Sequence, residues 1–280
     1  MSNTLGSIHR IKKFDKFFSI YLFLLFFFGI YYLYYKHNVG NDSSISEYLI
    51  NYQGGFVRRG LIGEIIFIYS DYFNLNLRFQ IFLIQSIIYS IFLFLIFNFF
   101  KNFKKNIIIL FCIYTPIFLL YPVAEIESLG RKETFLYVFF LSLLLINDKR
   151  KANIYTLLVL PLICMIYEEI ILFSPYIFSV LIIKNKIGDF KSLFKLALLF
   201  IPSICIILYF LIFPISVDQH NIMAQSLMNV FGESCYMSCS LLIGNDINNF
   251  SSMLSYIWGE HTNLPIILVR YLLIILIGFS

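Results

Sequence analysis

Leu162–Tyr176 reads LICMIYEEIILFSPY, and its two adjacent glutamates, Glu168 and Glu169, stand in a run that is otherwise almost wholly hydrocarbon and ring. Ionised carboxylates in such surroundings are costly unless paired or hydrated. The run extends from Tyr155 to Ile183 and meets a lysine cluster at each end. One long tilted helix would carry Lys184, Lys186, Lys191 and Lys195 to the outer side, against the bias that keeps Lys and Arg cytoplasmic. A hairpin keeps both ends inside. Each arm then has about 14 residues, roughly 21 Å, and falls short of a roughly 30 Å hydrocarbon core. The tip with the two glutamates therefore lies below the outer surface. Irregular backbone at that depth is tolerated only beside a polar cavity or inside protein. Pro161 and Pro175 flank the tip and predict kinks in both arms.

The rest of the chain is of the same kind. Of its 280 residues 60% are hydrophobic and 13% charged, too few polar groups to cover a soluble globule. Long apolar runs recur from end to end, which predicts an all-α, polytopic integral membrane protein. It reads as a single transmembrane domain over 1–280, with 215–263 as an outer loop and no room for a sizeable soluble domain. Four basic clusters, around Lys13, Lys104, Arg150 and Lys186, are placed in the cytoplasm, and the segments rich in Asp and Glu outside. About eight spans fit this alternation: 17–35, 79–100, 106–123, 129–147, 153–167, 170–183, 194–214 and 264–280. The opening HRIKKFDKFF and the run after it lack a small-residue cleavage site and read as an uncleaved first span, with the N-terminus cytoplasmic. Residues 54–73 hold an apolar stretch too short to cross and predict an interfacial or re-entrant helix on the outer face, entered through a glycine-rich turn. The last run is still apolar at Ser280, so the expectation is a chain cut short of a longer protein. The abundance of Phe (33) and Tyr (20) follows from AT-rich codons and points to a bacterium with such a genome; it carries no stacking argument.

Several constellations could carry chemistry. In GGFVRRG, Gly54–Gly60, the glycines permit close backbone approach. The adjacent Arg58 and Arg59 either hold phosphate oxygens in forked hydrogen bonds or snorkel to headgroups. EIESLGRKE, Glu125–Glu133, packs three carboxylates with Arg131 and Lys132, as a site wall or as a solvated loop with internal ion pairs. Glu168 and Glu169 are functional candidates as intramembrane acids, or a structural pair that pins the hairpin. Neighbours on a helix point about 100° apart, so the two are expected to find different partners. Arg270 lies about two turns into the last run, roughly 9 Å deep, too far for a routine anchor. No spacing matches a metal motif, so no metal or cofactor is assigned; a divalent cation stays an open alternative. Cys112, Cys164 and Cys205 fall in apolar runs as packing residues, whereas Cys235 and Cys239 are either a disulfide or two free thiols. There is no P-loop, dinucleotide fingerprint or nucleophile elbow.

The plan of short spans, with acids and arginines gathered in outer loops and a first large outer loop lying partly along the membrane, resembles the C-type membrane glycosyltransferases and the polymerases of surface polysaccharides. NYQGGFVRRGLIGE, with GRKE and YEE downstream, looks like uncharacterised polytopic proteins of that kind. The resemblance implies a polyprenyl-phosphate-linked sugar as donor, membrane lipid as surroundings, no nucleic-acid partner, and the bacterial inner membrane as location. In that family an acidic residue early in the outer loops serves as base, and Asp42 or Glu47 occupies that region here. The physical demands agree: transfer needs a carboxylate to activate an acceptor hydroxyl and cations to stabilise a leaving phosphate. The expected base is Glu168, Asp42 or Glu47, and the expected substrate contacts are Arg58, Arg59, Arg131, Lys132, Glu169 and Arg270. A proton-coupled transporter or lipid-linked-substrate flippase, or a non-catalytic assembly subunit, would use the same charges differently.

Overall fold

The computed structural model describes residues 2–39, 43–101, 113–114, 119–124, 128–234, 237–240 and 242. The chain divides into two compact units, Met1–Leu242 and Ile243–Ser280, and every described residue belongs to the first. The described part is all-α. In chain order come α1 (Ser2–His37), α2 (Ser43–Leu49), α3 (Leu61–Tyr72), α4 (Leu77–Lys101), α5 (Tyr121–Ala124), α6 (Glu133–Leu145) and α7 (Lys149–Ile166). A 3-10 turn, Glu168–Phe173, leads to α8 (Ser174–Asn185) and α9 (Phe190–Ala197), and a second, Leu198–Phe200, joins α9 to α10 (Ile201–Ile212). Then follow α11 (Val217–Phe231) and α12 (Met237–Ser240).

α4 is the central element because both of its halves are buried. Tyr89, Phe92, Leu93 and Ile96 pack with Phe18, Leu22, Leu25 and Leu33 of α1. Leu77 and Ile81 join the larger core built from α2, α3 and α6 to α9. The α1–α4 approach is close: a Cβ on Gly29 would sit 2.3 Å from the Tyr89 ring, whose hydroxyl donates to the Leu25 carbonyl at 3.2 Å. The outward face of α1 shows Phe17, Phe23, Phe27, Tyr31 and Tyr35, an apolar stripe far larger than water tolerates.

Among the described residues three helices are long and apolar enough to cross a membrane: Lys16–His37, Leu77–Lys101 and the run Phe190–Ile212. The expected number was about eight, and the difference has local causes. The span expected at 129–147 is helical only from Glu133 to Leu145, about 20 Å at 1.5 Å per residue. Gly130, at φ 80°, cuts it at one end and the extended Ile146 at the other. The span expected at 153–167 starts earlier, at Lys149, and its first turn is Lys149, Arg150 and Lys151, capped by the Asp148 carboxylate. The span expected at 170–183 is a 3-10 turn followed by a 12-residue helix. Most of 106–123 and all of 264–280 lie outside the described residues.

The fold-deciding run is a hairpin in geometry. α7 stops at Tyr167, whose backbone is extended (φ −154°, ψ 97°), and α8 returns so that Asn153 and Asn185 exchange amide hydrogen bonds at 3.3 and 3.0 Å. Pro161 lies inside α7, while Pro175 starts α8 at a position where its missing N–H costs nothing. Lys184 caps α6 by donating to the carbonyls of Leu144 (3.1 Å) and Ile146 (2.6 Å). The residues expected to form an interfacial helix form α3, entered at Gly60, whose Ile65, Ile68, Tyr69 and Tyr72 are exposed. A Cβ on Gly63 would lie 1.9 Å from the Ile50 carbonyl oxygen, so α3 rests directly on that backbone. The segment read as a polar loop from 215 holds a regular helix, α11, with a reciprocal Ser216–Gln219 cap and Gly232 at its end.

Candidate functional site

The site begins with the loop between α2 and α3. Gly54 lets the chain pass under α11, since a Cβ there would lie 1.9 Å from the Gln219 carbonyl oxygen. Glu64, in the first turn of α3, holds the loop back by accepting from the Tyr52 N–H and the Gln53 amide, both at 2.8 Å. The loop then turns sharply at Arg59, a non-glycine residue in the left-handed region (φ 64°). That costs about 1–2 kcal/mol and needs something to hold it. Lys132 supplies the hold: its Nζ donates to the Arg59 carbonyl at 2.6 Å.

The turn aims the Arg59 guanidinium at the hairpin tip. Nε lies 2.9 Å from both carboxylate oxygens of Glu168, and Nη2 is 2.7 Å from Glu169 Oε1. Cζ sits 5.5 Å from the centre of the Tyr167 ring, a cation–π contact. Arg58 Nη1 is 3.9 Å from Glu168 Oε1. The two glutamates thus share Arg59 instead of dividing between partners. The 100° rule presumes an α-helix, and here the backbone breaks at Tyr167 and continues as a 3-10 turn. Tyr167 donates to Glu169 Oε2 at 2.7 Å and also reaches Glu133 Oε1 at 3.4 Å.

Glu133 extends the network to a second guanidinium. Arg131 Nη2 lies 2.9 Å from Glu133 Oε1 and 3.5 Å from Glu47 Oε1. Glu47 comes from α2, where every residue from Ser44 to Leu49 is buried. Burial raises its carboxyl above the ordinary carboxylate range, opposed by Arg131. Its second oxygen, Oε2, is buried with no hydrogen-bond partner, as is Glu133 Oε2. Lys132 is fully buried, with Nζ 5.5 Å from the centre of the Tyr48 ring, and burial brings its amine down to about 7 against the pull of Glu47.

Seven of the nine expected site residues therefore converge: Glu47, Arg58, Arg59, Arg131, Lys132, Glu168 and Glu169. Asp42 and Arg270 lie outside the described residues. Glu133, Tyr167 and Tyr48 were not among the expected site residues. Glu133 was visible as the last acid of EIESLGRKE and Tyr167 as the neighbour of the glutamate pair, but nothing marked Tyr48. Among the described residues no three His, Cys, Asp or Glu side chains are arranged to hold a metal.

Both oxygens of Glu168 are taken by Arg59, whereas Glu47 keeps one oxygen unengaged in a low-dielectric setting. Of the acids expected as base, Glu168 is thus engaged through both oxygens and Glu47 through one. Glu169, half-exposed, is the acid that can swing into solvent and release Arg59 Nη2. Close by, α12 lies on α2, with Ser46 donating to Ser238 at 2.6 Å. Cys239 of α12 is disulfide-bonded; Cys235 lies outside the described residues. No family model, curated protein or solved structure matches this chain.

Proposed function

We propose that the chain is a membrane glycosyltransferase or polysaccharide polymerase that uses a lipid-phosphate-linked sugar at the outer membrane face. In this reading it resembles the C-type membrane glycosyltransferases, has its N-terminus in the cytoplasm and sits in a bacterial inner membrane. The observation that carries the proposal is the convergence of Arg58, Arg59, Arg131 and Lys132 with four glutamates in one network, at one end of which the buried Glu47 Oε2 has no partner. Cations for a leaving phosphate and a carboxylate for a hydroxyl are the two requirements of the reaction.

The step balances as follows. An acceptor hydroxyl oxygen attacks the anomeric carbon, and its proton passes to Glu47 Oε2. The bond from that carbon to the phosphate oxygen breaks, with its electron pair going to the lipid phosphate. Arg58 receives the phosphate, together with the Arg59 Nη2 that Glu169 gives up. Lys132 and Glu168 keep Arg59 in place. The test is Glu47→Gln and Arg58→Ala in a source strain whose surface glycans are profiled, with protein level measured beside them. Loss of a glycan at normal protein level is expected from both variants. Unchanged glycans in both would overturn the proposal.

A proton-coupled transporter or flippase draws support from a different observation. Glu47 and Lys132 are both shifted towards neutral pH within one continuous network of polar contacts. Substrate movement that collapses with the proton gradient would favour that reading, and transfer that continues without the gradient would favour the enzyme.

A further inference from the structure

Beside the charge network lies a cavity of about 370 Å³, bounded by α4, α5 and the start of α6. This is at the small end of the roughly 300–1,000 Å³ of small-molecule sites, enough for one ring and not for a chain of them. Its walls are of two kinds. Phe92 and Tyr137, with ring centroids 6.0 Å apart, and Tyr121 supply aromatic surface. Tyr121 and Tyr137 are each about half-exposed, so a ligand can reach their faces. Arg131 and Glu133 supply the polar wall.

The electrostatics select the ligand. The charge of Arg131 is offset by Glu133 at 2.9 Å and Glu47 at 3.5 Å, so the wall offers no surplus cation to a phosphate. It does carry a carboxylate, because Glu133 lines the cavity, and its Oε2, buried behind that wall, has no hydrogen-bond partner. An unsatisfied carboxylate oxygen is costly, and a ligand donor would satisfy it once the side chain turns that oxygen to the cavity. Aromatic faces beside an acceptor suit a neutral ring with apolar C–H faces and hydroxyl edges. We propose that this cavity is the acceptor subsite, holding a single neutral monosaccharide ring against Tyr121 and Tyr137 with one hydroxyl donating to Glu133. It rests on the transfer reading above for its role, though not for the binding itself. Through Arg131 the cavity adjoins Glu47, which puts a bound hydroxyl on the side of the proposed base.

The experiment is saturation-transfer NMR on the purified full chain in lipid nanodiscs, with glucose, galactose and N-acetylglucosamine as separate probes and geranyl phosphate as the contrasting one. At least one sugar is expected to bind, with its ring protons saturated. Tyr137→Ala and Glu133→Gln are each expected to weaken it by about tenfold, while Tyr137→Phe, which keeps the ring, binds as wild type. Tyr121→Ala gives a second aromatic readout should Tyr137→Ala fail to fold. No signal from any sugar, signals equal in wild type and Tyr121→Ala or Tyr137→Ala, or a Tyr137-dependent signal from geranyl phosphate alone would overturn the subsite. Those results leave the transfer reading standing if Glu47→Gln abolishes glycan formation. Sugar binding as described, together with glycans unaffected by Glu47→Gln, keeps the subsite and removes the enzyme.

Discussion

Arg59 is the residue whose removal tests the site most directly. Replacing it with leucine takes the Nε donor from both oxygens of Glu168, whose side chain is only 16% exposed, and leaves Arg58 Nη1 at 3.9 Å as the nearby cation. Removing one partner of a buried pair costs about 3–5 kcal/mol, because the other charge is left uncompensated. Glu169 is 50% exposed and rehydrates, so it adds little. At about 2–4 °C per kcal/mol for a chain of this size, Arg59→Leu lowers the melting temperature by about 10 °C. Glu168→Gln keeps the shape and loses charge-assisted hydrogen bonds, about 1.5–3 kcal/mol. In the double variant neither member of the pair is left behind without the other, so the cost falls below the sum of the two by about 1–3 kcal/mol. Arg59→Gly provides a control, since glycine relieves the left-handed backbone and recovers about 1 kcal/mol relative to leucine. The assay is the fraction of protein still monodisperse after heating in detergent. Additivity of the two single variants within about 0.5 kcal/mol would refute the pairing on which the site is built.

Two further outcomes follow from the same geometry. Burial holds the Lys132 amine at about 7 in the folded chain, against about 10.4 when unfolded. Below pH 7 the amine is charged in both states and the burial cost stands in full; between about 7 and 10 the unfolded chain binds more protons, so stability rises with pH. Melting curves across that window should climb for wild type, and Lys132→Met should remove that part of the climb; equal slopes would count against a buried amine. Gly63→Ala would place a methyl 1.9 Å from the Ile50 carbonyl oxygen, with backbone on both sides and no flexible neighbour to yield. It should destabilise by about 1–3 kcal/mol, seen as lower yield and an earlier melt, whereas Gly188→Ala, which meets nothing within 4 Å, should behave as wild type.

Parts of this architecture were legible from residues alone. Lysines at both ends of the run from Tyr155 to Ile183 required a return, and a return at mid-length put Glu168 and Glu169 at its tip; the Asn153–Asn185 contact closes that hairpin. The gathering of charges was legible because an ionisable group in an apolar run must find a partner, and few partners existed. The number of crossing helices was not legible. Hydropathy averages over a window and does not register the left-handed turn at Gly130 or the extended backbone at Tyr167, which cut apolar runs into short pieces. The role of Lys132 was hidden for another reason. Its acceptor is a backbone carbonyl, made available by the unusual turn at Arg59, and no side-chain pattern announces it. Tyr167 was one tyrosine among 20, distinguished only by where the helix ends.

The energetics of the network bear on why it exists. Two apolar clusters pack the helices around it: Phe139, Leu160, Cys164, Ile170 and Ile177 in one, and Phe18, Leu33, Tyr89 and Ile96 in the other. Burying ion pairs costs desolvation that hydrophobic residues of similar volume would avoid, often with a net gain in stability. A chain so rich in Leu, Ile and Phe had that alternative at every one of these positions. Here instead a non-glycine residue turns left-handed, a lysine is buried completely to hold it, and two carboxylate oxygens are left without partners. Each of these costs stability, and none of them is needed to close the hairpin, which Asn153 and Asn185 already tie at its base. Costs concentrated at one place, on groups able to donate, accept and exchange protons, are what pre-organisation for a ligand requires. The same reasoning makes the unpartnered oxygens of Glu47 and Glu133, more than the satisfied Arg59–Glu168 pair, the points where substrate should be sought.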